Sequence, residues 1–198
     1  MPAATSASET ARRFSAILLA GGQSTRMGRD KAALDFHGES LLRHQAEKLR
    51  RLGIEDLVIA GGKASLPGVR TVQDRFPGHG PLGGLHAGLE QIENPSALVL
   101  PVDTPLVPDS LLLELLTAHR GGATVTAAFG NIEPLIGVYD KALAPLCREL
   151  LESGRCSVRR LLDAAGCTAV EYRGSPEGLA NCNTPEEYAR VLKLHPSI

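Results

Sequence analysis

Continuous apolar runs alternate with runs of helical period along the chain. SAILLAGG, Ser15 to Gly22, is apolar without alternation, the pattern of a strand covered on both faces. SLLRHQAEKLRRLG follows as a helix: Ser40 can cap it, Leu41, Leu42, Ala46, Leu49 and Leu52 share a face, and Gly53 stops it. DLVIAGG, from Asp56, is a second buried strand, and VRTVQD, ending at Asp74, a third. PLGGLHAGLEQI opens a helix with Pro81 in the first turn. SALVLPVD, ending at Asp103, is another strand, and PDSLLLELLTAHRGG another helix with a glycine stop. TVTAAF and PLIGVYD read as strands, LAPLCRELLESG and SVRRLLDAAG as helices, and TAVEY as a last strand. TPEEYARVLKL closes the pattern as a helix, with Thr184 and Glu187 spaced as a capping box. Strands alternating with helices predict an α/β fold: a three-layer, doubly wound, mostly parallel sheet.

Composition narrows this picture. Hydrophobic residues are 43% of 198, enough for one sizeable core. The first 13 residues are small and polar and are expected to be a flexible tail, with residues 14–198 a single domain. The net charge of −1 gives no global field for nucleic acid or an anionic membrane, and Trp is absent, so stacking platforms are scarce. No apolar run has the length of a membrane helix. None of the four cysteines forms a C-x-x-C pair, so neither a structural metal nor a disulfide framework is expected. A cytoplasmic protein is the expectation.

The chemistry gathers at the end of the first strand. Gly21 and Gly22 let the backbone turn and approach a ligand, and their free amides can form an anion-binding concavity. Arg26 and Lys31 add full positive charge, so the loop suits a polyphosphate. A P-loop is excluded, because the G-x-x-x-x-G-K-[ST] spacing fails. G-x-G-x-x-G does occur at Gly78 to Gly83, but Arg75, Phe76 and Pro77 separate it from the preceding strand. A nicotinamide-dependent oxidoreductase built on it would have to bind NAD(P)H. Taken by composition alone, residues 21–31 read equally well as an ordinary surface connection.

The string A-G-G-x-S-x-R-M-G-x-D-K, Ala20 to Lys31, resembles the signature loop of the molybdenum cofactor guanylyltransferases, in the nucleotide-diphospho-sugar transferase-like superfamily. LDFHGESLL, GPLGGLHAGL, LPVDTPLVP and NCNTPEEY follow in that family's order and extend the resemblance over nearly the whole chain. It implies a Rossmann-like nucleotidyltransferase fold. It also implies transfer of GMP from GTP to the terminal phosphate of molybdenum-carrying molybdopterin, with Mg²⁺, and work beside proteins that make and insert the cofactor. The attacking phosphate monoester is already largely ionised at neutral pH, so no serine–histidine pair is needed. Positioning, cations and a metal supply the catalysis.

Carried over position by position, the resemblance gives Leu19, Ala20, Gly21 and the adjacent Gly22 to the guanine nucleotide. Lys31 falls to the GTP phosphates and Arg26 to the triphosphate or the pterin phosphate. Asp103 becomes the magnesium ligand, a carboxylate that composition alone would assign to a turn before Pro105. Asp74 contacts GTP. Asn181 and Asn183 stand near the metal and pterin phosphate, although Asn183 reads equally as a helix-entry residue. Gly80, Gly83 and Gly84 either admit the pterin side or let a helix pack closely, and His79 and His86 read as packing or surface residues. Two departures stand out. Ala60-Gly61-Gly62 replaces a stretch where the family often has a nucleotide-contacting asparagine, and Glu133 stands where a histidine commonly precedes the proline. A cytidylyltransferase for the same cofactor, a sugar-phosphate nucleotidyltransferase and a non-catalytic nucleotide or pterin carrier are the alternatives.

Overall fold

A computed structural model describes residues 7–21 and 31–194. Its first elements are α1 (Ala7–Ala11), β1 (Ser15–Leu19), a hairpin of β2 (Asp35–Phe36) and β3 (Glu39–Ser40), and α2 (Leu41–Leu52). Then come β4 (Leu57–Ala60), β5 (Arg70–Val72), α3 (Pro81–Gln91), β6 (Ser96–Pro101) and α4 (Asp109–Ala118). The chain continues through β7 (Ala123–Ala128), β8 (Asn131–Asp140), α5 (Ala144–Glu152), α6 (Val158–Ala165), β9 (Thr168–Glu171) and α7 (Pro185–Leu194). Seven strands form one sheet in the order β5-β4-β1-β6-β8-β7-β9. All run parallel except β8, which is antiparallel to both its neighbours. Its direction follows from the two-residue connection Phe129-Gly130, which can only join antiparallel strands.

The continuous apolar strands are explained by burial on both faces. Along β1, Ala16 and Leu18 join one core cluster with α2 and α4, while Ile17 and Leu19 join the other with α3, α5 and α6. The sheet therefore has helices on each side, as the alternating pattern predicts. The caps also form. Ser40 accepts from Arg43 N at the start of α2, and Gly53 ends it in the left-handed conformation. Thr184 Oγ1 accepts from Glu187 N at 3.2 Å while the Glu187 carboxylate accepts from Thr184 N at 3.1 Å, completing the capping box of α7.

Two features depart from the sequence reading. Residues 7–11 are helical, and Ala11 is buried in the cluster that holds α2 and α4, so this part of the expected tail is packed against the domain. The β2–β3 hairpin is unpredicted. Its Phe36 and the preceding Leu34 pack with Leu41, Cys182 and Val191 beneath α7.

The order of the strands positions the site. From β1 the chain moves outward to β4 and β5, then returns through α3 to β6 on the other side of β1. The direction of winding reverses there, and ligands of open α/β sheets bind outside the carboxyl ends of such strands.

Candidate active site

The tips of β1 and β6 leave the sheet side by side. Leu19 is in register with Pro101, and Val102 N donates to Leu19 O at 3.2 Å, which brings Ala20-Gly21 alongside Val102-Asp103. On the other flank Ala20 N donates to Ala60 O at 3.0 Å, and Gly61-Gly62 follow. Gly61 and Gly62 are glycines at the end of β4 because the two strand tips touch. A Cβ on Gly61 would lie 3.0 Å from Gly21 Cα, and one on Gly62 only 2.7 Å from the Ala20 carbonyl oxygen. Gly61 and Gly62 also hold φ of +79° and +70°, a region that side chains disfavour.

Lys31 enters from a 3-10 turn, Lys31–Ala33, anchored by the buried Ala32 and Leu34. Its Nζ lies 2.8 Å from Asp103 Oδ2 and also donates to Asn183 Oδ1. The lysine and aspartate side chains are each 20% exposed, so this is a sheltered pair that remains open to a ligand. Asn183 is held in turn, its backbone N donating to Glu187 Oε2 at 2.8 Å. The neighbouring Cys182 N donates to Asp103 O at 2.8 Å. Burial, and then the Asp103 carboxylate, push the Cys182 thiol up to about 12, so it stays neutral and is no nucleophile at ordinary pH.

Asp74 approaches from beyond β5 and accepts from Phe76 N at 2.7 Å. Its carboxylate fills the space beside Gly83, where a Cβ would sit 2.3 Å from Oδ2. Gly83 is buried beneath Asp74, which is the close-packing reading of this glycine, and it stands off the cleft wall. Gly80 and Gly84 do line the cleft, at the amino end of α3, where free amides and the helix dipole favour anions. Leu19, Ala20, Gly21, Lys31, Asp74 and Asp103 also line it, around about 540 Å³. That volume is within the range of small-molecule sites.

Asn181 is exposed and stands outside this wall. Gly22 and Arg26 lie outside the described residues. His86 is fully buried on α3, edge-on to Phe76, and burial lowers its pKa, in keeping with packing. Gly61 and Gly62, noted in the sequence only as a departure from the family's nucleotide-contacting asparagine, line the wall, as does Leu135, which the sequence did not suggest. The repeated Ala-Gly-Gly at two strand ends was the available signal for the first two. Leu135 carried none, because its place depends on how β8 crosses the sheet.

Among the described residues, no three His, Cys, Asp or Glu side chains gather as a metal cage. The donors that line the cleft are hard oxygens, the carboxylates of Asp74 and Asp103, with the Asn183 amide oxygen bonded to Lys31. They fit Mg²⁺, which takes one or two carboxylates and completes its shell with water and substrate phosphates.

This arrangement has relatives. The sequence profile of the "MobA-like NTP transferase domain" matches residues 16–169. The chain belongs to this family. It is 34% identical to the molybdenum cofactor guanylyltransferase of Xanthomonas euvesicatoria, over 93% of this chain and 97% of that one. It is 30% identical to the probable molybdenum cofactor guanylyltransferase of Carboxydothermus hydrogenoformans, over 92% of this chain and 97% of its relative. Among solved structures, the molybdopterin-guanine dinucleotide biosynthesis protein A of Archaeoglobus fulgidus superposes with a TM-score of 0.76 at 20% identity, over 91% and 98% of the two chains. The 2-C-methyl-D-erythritol 4-phosphate cytidylyltransferase of Thermus thermophilus shares the fold at a TM-score of 0.68 and 19% identity, over 91% and 98% of the two chains. The MobA-like fold thus carries relatives named for different bases and acceptors, and the site has to decide between them.

Proposed function

We propose that the chain transfers GMP from GTP to the terminal phosphate of molybdenum-molybdopterin, releasing pyrophosphate and forming molybdopterin guanine dinucleotide. The observation that carries this reading is the Lys31–Asp103–Asn183 cluster at the paired tips of β1 and β6. It brings a cation, a carboxylate and an amide together at the switch point of a nucleotidyltransferase fold. The full-length similarity to molybdenum cofactor guanylyltransferases supports the choice of base and acceptor.

In this reading the backbone of Gly21 and the amino end of α3 receive the nucleotide, beside Ala20, whose own amide is held by Ala60 O. Asp74, fixed by its bond to Phe76 N, meets the nucleotide on the far wall. Gly80 and Gly84 leave room for the acceptor. Asp103 holds the magnesium ion, which supplies charge neutralisation at the phosphates when bound. An oxygen of the acceptor phosphate forms a bond to the α-phosphorus as the bridging α–β oxygen leaves with pyrophosphate. Lys31 donates to the phosphate oxygens and follows the charge onto the departing group. No proton has to be removed from the nucleophile, consistent with a cleft that pairs its carboxylate with a lysine rather than a histidine. No helix of the described residues is long and apolar enough to cross a membrane. All four cysteines are free, which fits a reducing compartment, and we place the reaction in the cytoplasm, beside the proteins that supply and receive the cofactor.

The test is a product assay with purified protein, Mg²⁺ and molybdenum-molybdopterin, offered GTP, CTP, ATP and UTP separately. The dinucleotide is expected from GTP alone. Asp103→Asn is expected to lower kcat on the order of a hundredfold or more, the scale of losing one group that stabilises developing charge. Product from CTP in preference to GTP would reject the guanylyl reading, and an active Asp103→Asn would reject the role of the carboxylate.

A further inference from the structure

The apolar stripe of α2 is broken twice by polar side chains that solvent does not reach. Gln45 is fully buried and Lys48 is 5% exposed. Both reach across to the segment that leaves β6. Gln45 Nε2 donates to Pro101 O and to Thr104 O, each at 3.0 Å. Lys48 Nζ donates to Pro105 O at 2.6 Å and to Val107 O at 2.8 Å. Thr104 Oγ1 closes back on Pro101 O at 3.1 Å. Two side chains, three positions apart on one helix, therefore grip four carbonyls of residues 101–107, and Asp103 lies between the gripped points.

A leucine or methionine at either position would continue the stripe without burying charge. An ammonium in such a place carries a desolvation cost that hydrophobic residues avoid. Burial draws the Lys48 pKa down to about 8, with Asp109 opposing the shift and Arg51 adding to it. At neutral pH the group is still mostly an ammonium, with three donors to offer. The gripped segment has its own need. It runs from the last residue of β6 out of the ladder and contains Pro101 and Pro105, which have no amide to offer, while its buried carbonyls require donors.

We propose that Gln45 and Lys48 are positioning residues for Asp103, fixing the 101–107 segment so that the carboxylate meets Lys31 at the cleft. The inference rests on the reading above, in which Asp103 serves phosphate transfer. The same helix sets both partners. Leu41 N, at the start of α2, donates to Leu34 O at 2.9 Å, and Leu34 N donates to Lys31 O at 3.1 Å. Lys31 is thus referenced to one end of α2 and Asp103 to its buried face, and the 2.8 Å between them depends on the helix holding both.

The test compares Lys48→Met and Gln45→Leu with the natural chain, in thermal melts, steady-state kinetics and Mn²⁺ binding followed by electron paramagnetic resonance with a GTP analogue present. Both variants are expected to melt cooperatively. Their kcat is expected to fall on the order of tenfold to a hundredfold, the scale of misplacing a catalytic group. The Mn²⁺ dissociation constant should rise with it, while KM for GTP stays within about twofold. Lys48→Arg, which keeps the donors, should recover most of the lost turnover. Cooperatively folded variants with kcat and Mn²⁺ affinity unchanged would overturn the proposal and leave the two side chains a purely structural role. Should Lys48→Met not fold, Gln45→Leu carries the test, since it leaves the ammonium in place. Asp103→Asn is measured in parallel. If it loses Mn²⁺ while the α2 variants do not, the inference alone fails. If it keeps both Mn²⁺ and turnover, the reading of Asp103 fails and the inference falls with it.

Discussion

Gly83 has no side chain because Asp74 occupies the place where one would go. Three carboxylate atoms of Asp74 lie within 2.6 Å of the position a Cβ would take. Gly83→Ala is therefore expected to push Asp74 off Phe76 N and out of the cleft wall. A loss of about 1–3 kcal/mol in stability is expected from the overlap, read by urea denaturation. KM for GTP should rise more than kcat falls, because Asp74 is assigned to the nucleotide rather than to the reacting phosphates. An alanine variant with unchanged KM would remove Asp74 from the nucleotide site. At this scale the sequence was informative wherever a residue's chemistry was its own. Lys31 and Asp103 could be picked from their motifs, and the structure places them 2.8 Å apart. Gly83 could not be assigned, because its role lies in a neighbour nine positions away. Gln45 and Lys48 drew no notice beside the apolar face of their helix, because the sequence held no sign of the carbonyls they hold.

Among the elements, α7 matters to the site through its first turn. The Glu187 carboxylate accepts from both Asn183 N and Thr184 N, and Asn183 in turn accepts from Lys31. The capping box is thus also a support for the cleft. Thr184→Ala is expected to cost about 1 kcal/mol, the usual loss of a capping side chain, seen as a lower melting temperature. Glu187→Ala should cost a similar amount and, unlike Thr184→Ala, should also lower turnover, since it frees the Asn183 backbone. Equal turnover in the two variants would separate the cap from the site. The capping box and the ends of α2 were legible because caps are local chemistry. The β2–β3 hairpin was not, since two-residue strands are too short to show a period. Nor was the reversal at β8 announced. Its turn holds Phe129 at φ +52° beside Gly130 at +78°, where asparagine or aspartate is the usual first residue.

At the scale of the whole molecule, the site exists because winding reverses between β1 and β6. Covering both faces of the sheet requires the apolar runs, the apolar runs set the strands, and the strand order leaves two glycine-bearing tips next to an aspartate. The architecture was legible as a pattern of alternating elements. The order of the strands, and with it the contact of Ala20-Gly21 with Gly61-Gly62, needed tertiary structure, because pairing partners are far apart in the chain. The proposed reaction requires a nucleoside triphosphate lying in this cleft with its metal on Asp103. The most direct measurement is a crystal structure with a non-hydrolysable GTP analogue and Mn²⁺, with the metal located by anomalous scattering. The predicted result is a manganese peak in direct contact with the Asp103 carboxylate and the triphosphate, with Lys31 turned to a phosphate oxygen. A nucleotide bound away from the tips of β1 and β6, or a metal held without Asp103, would contradict it.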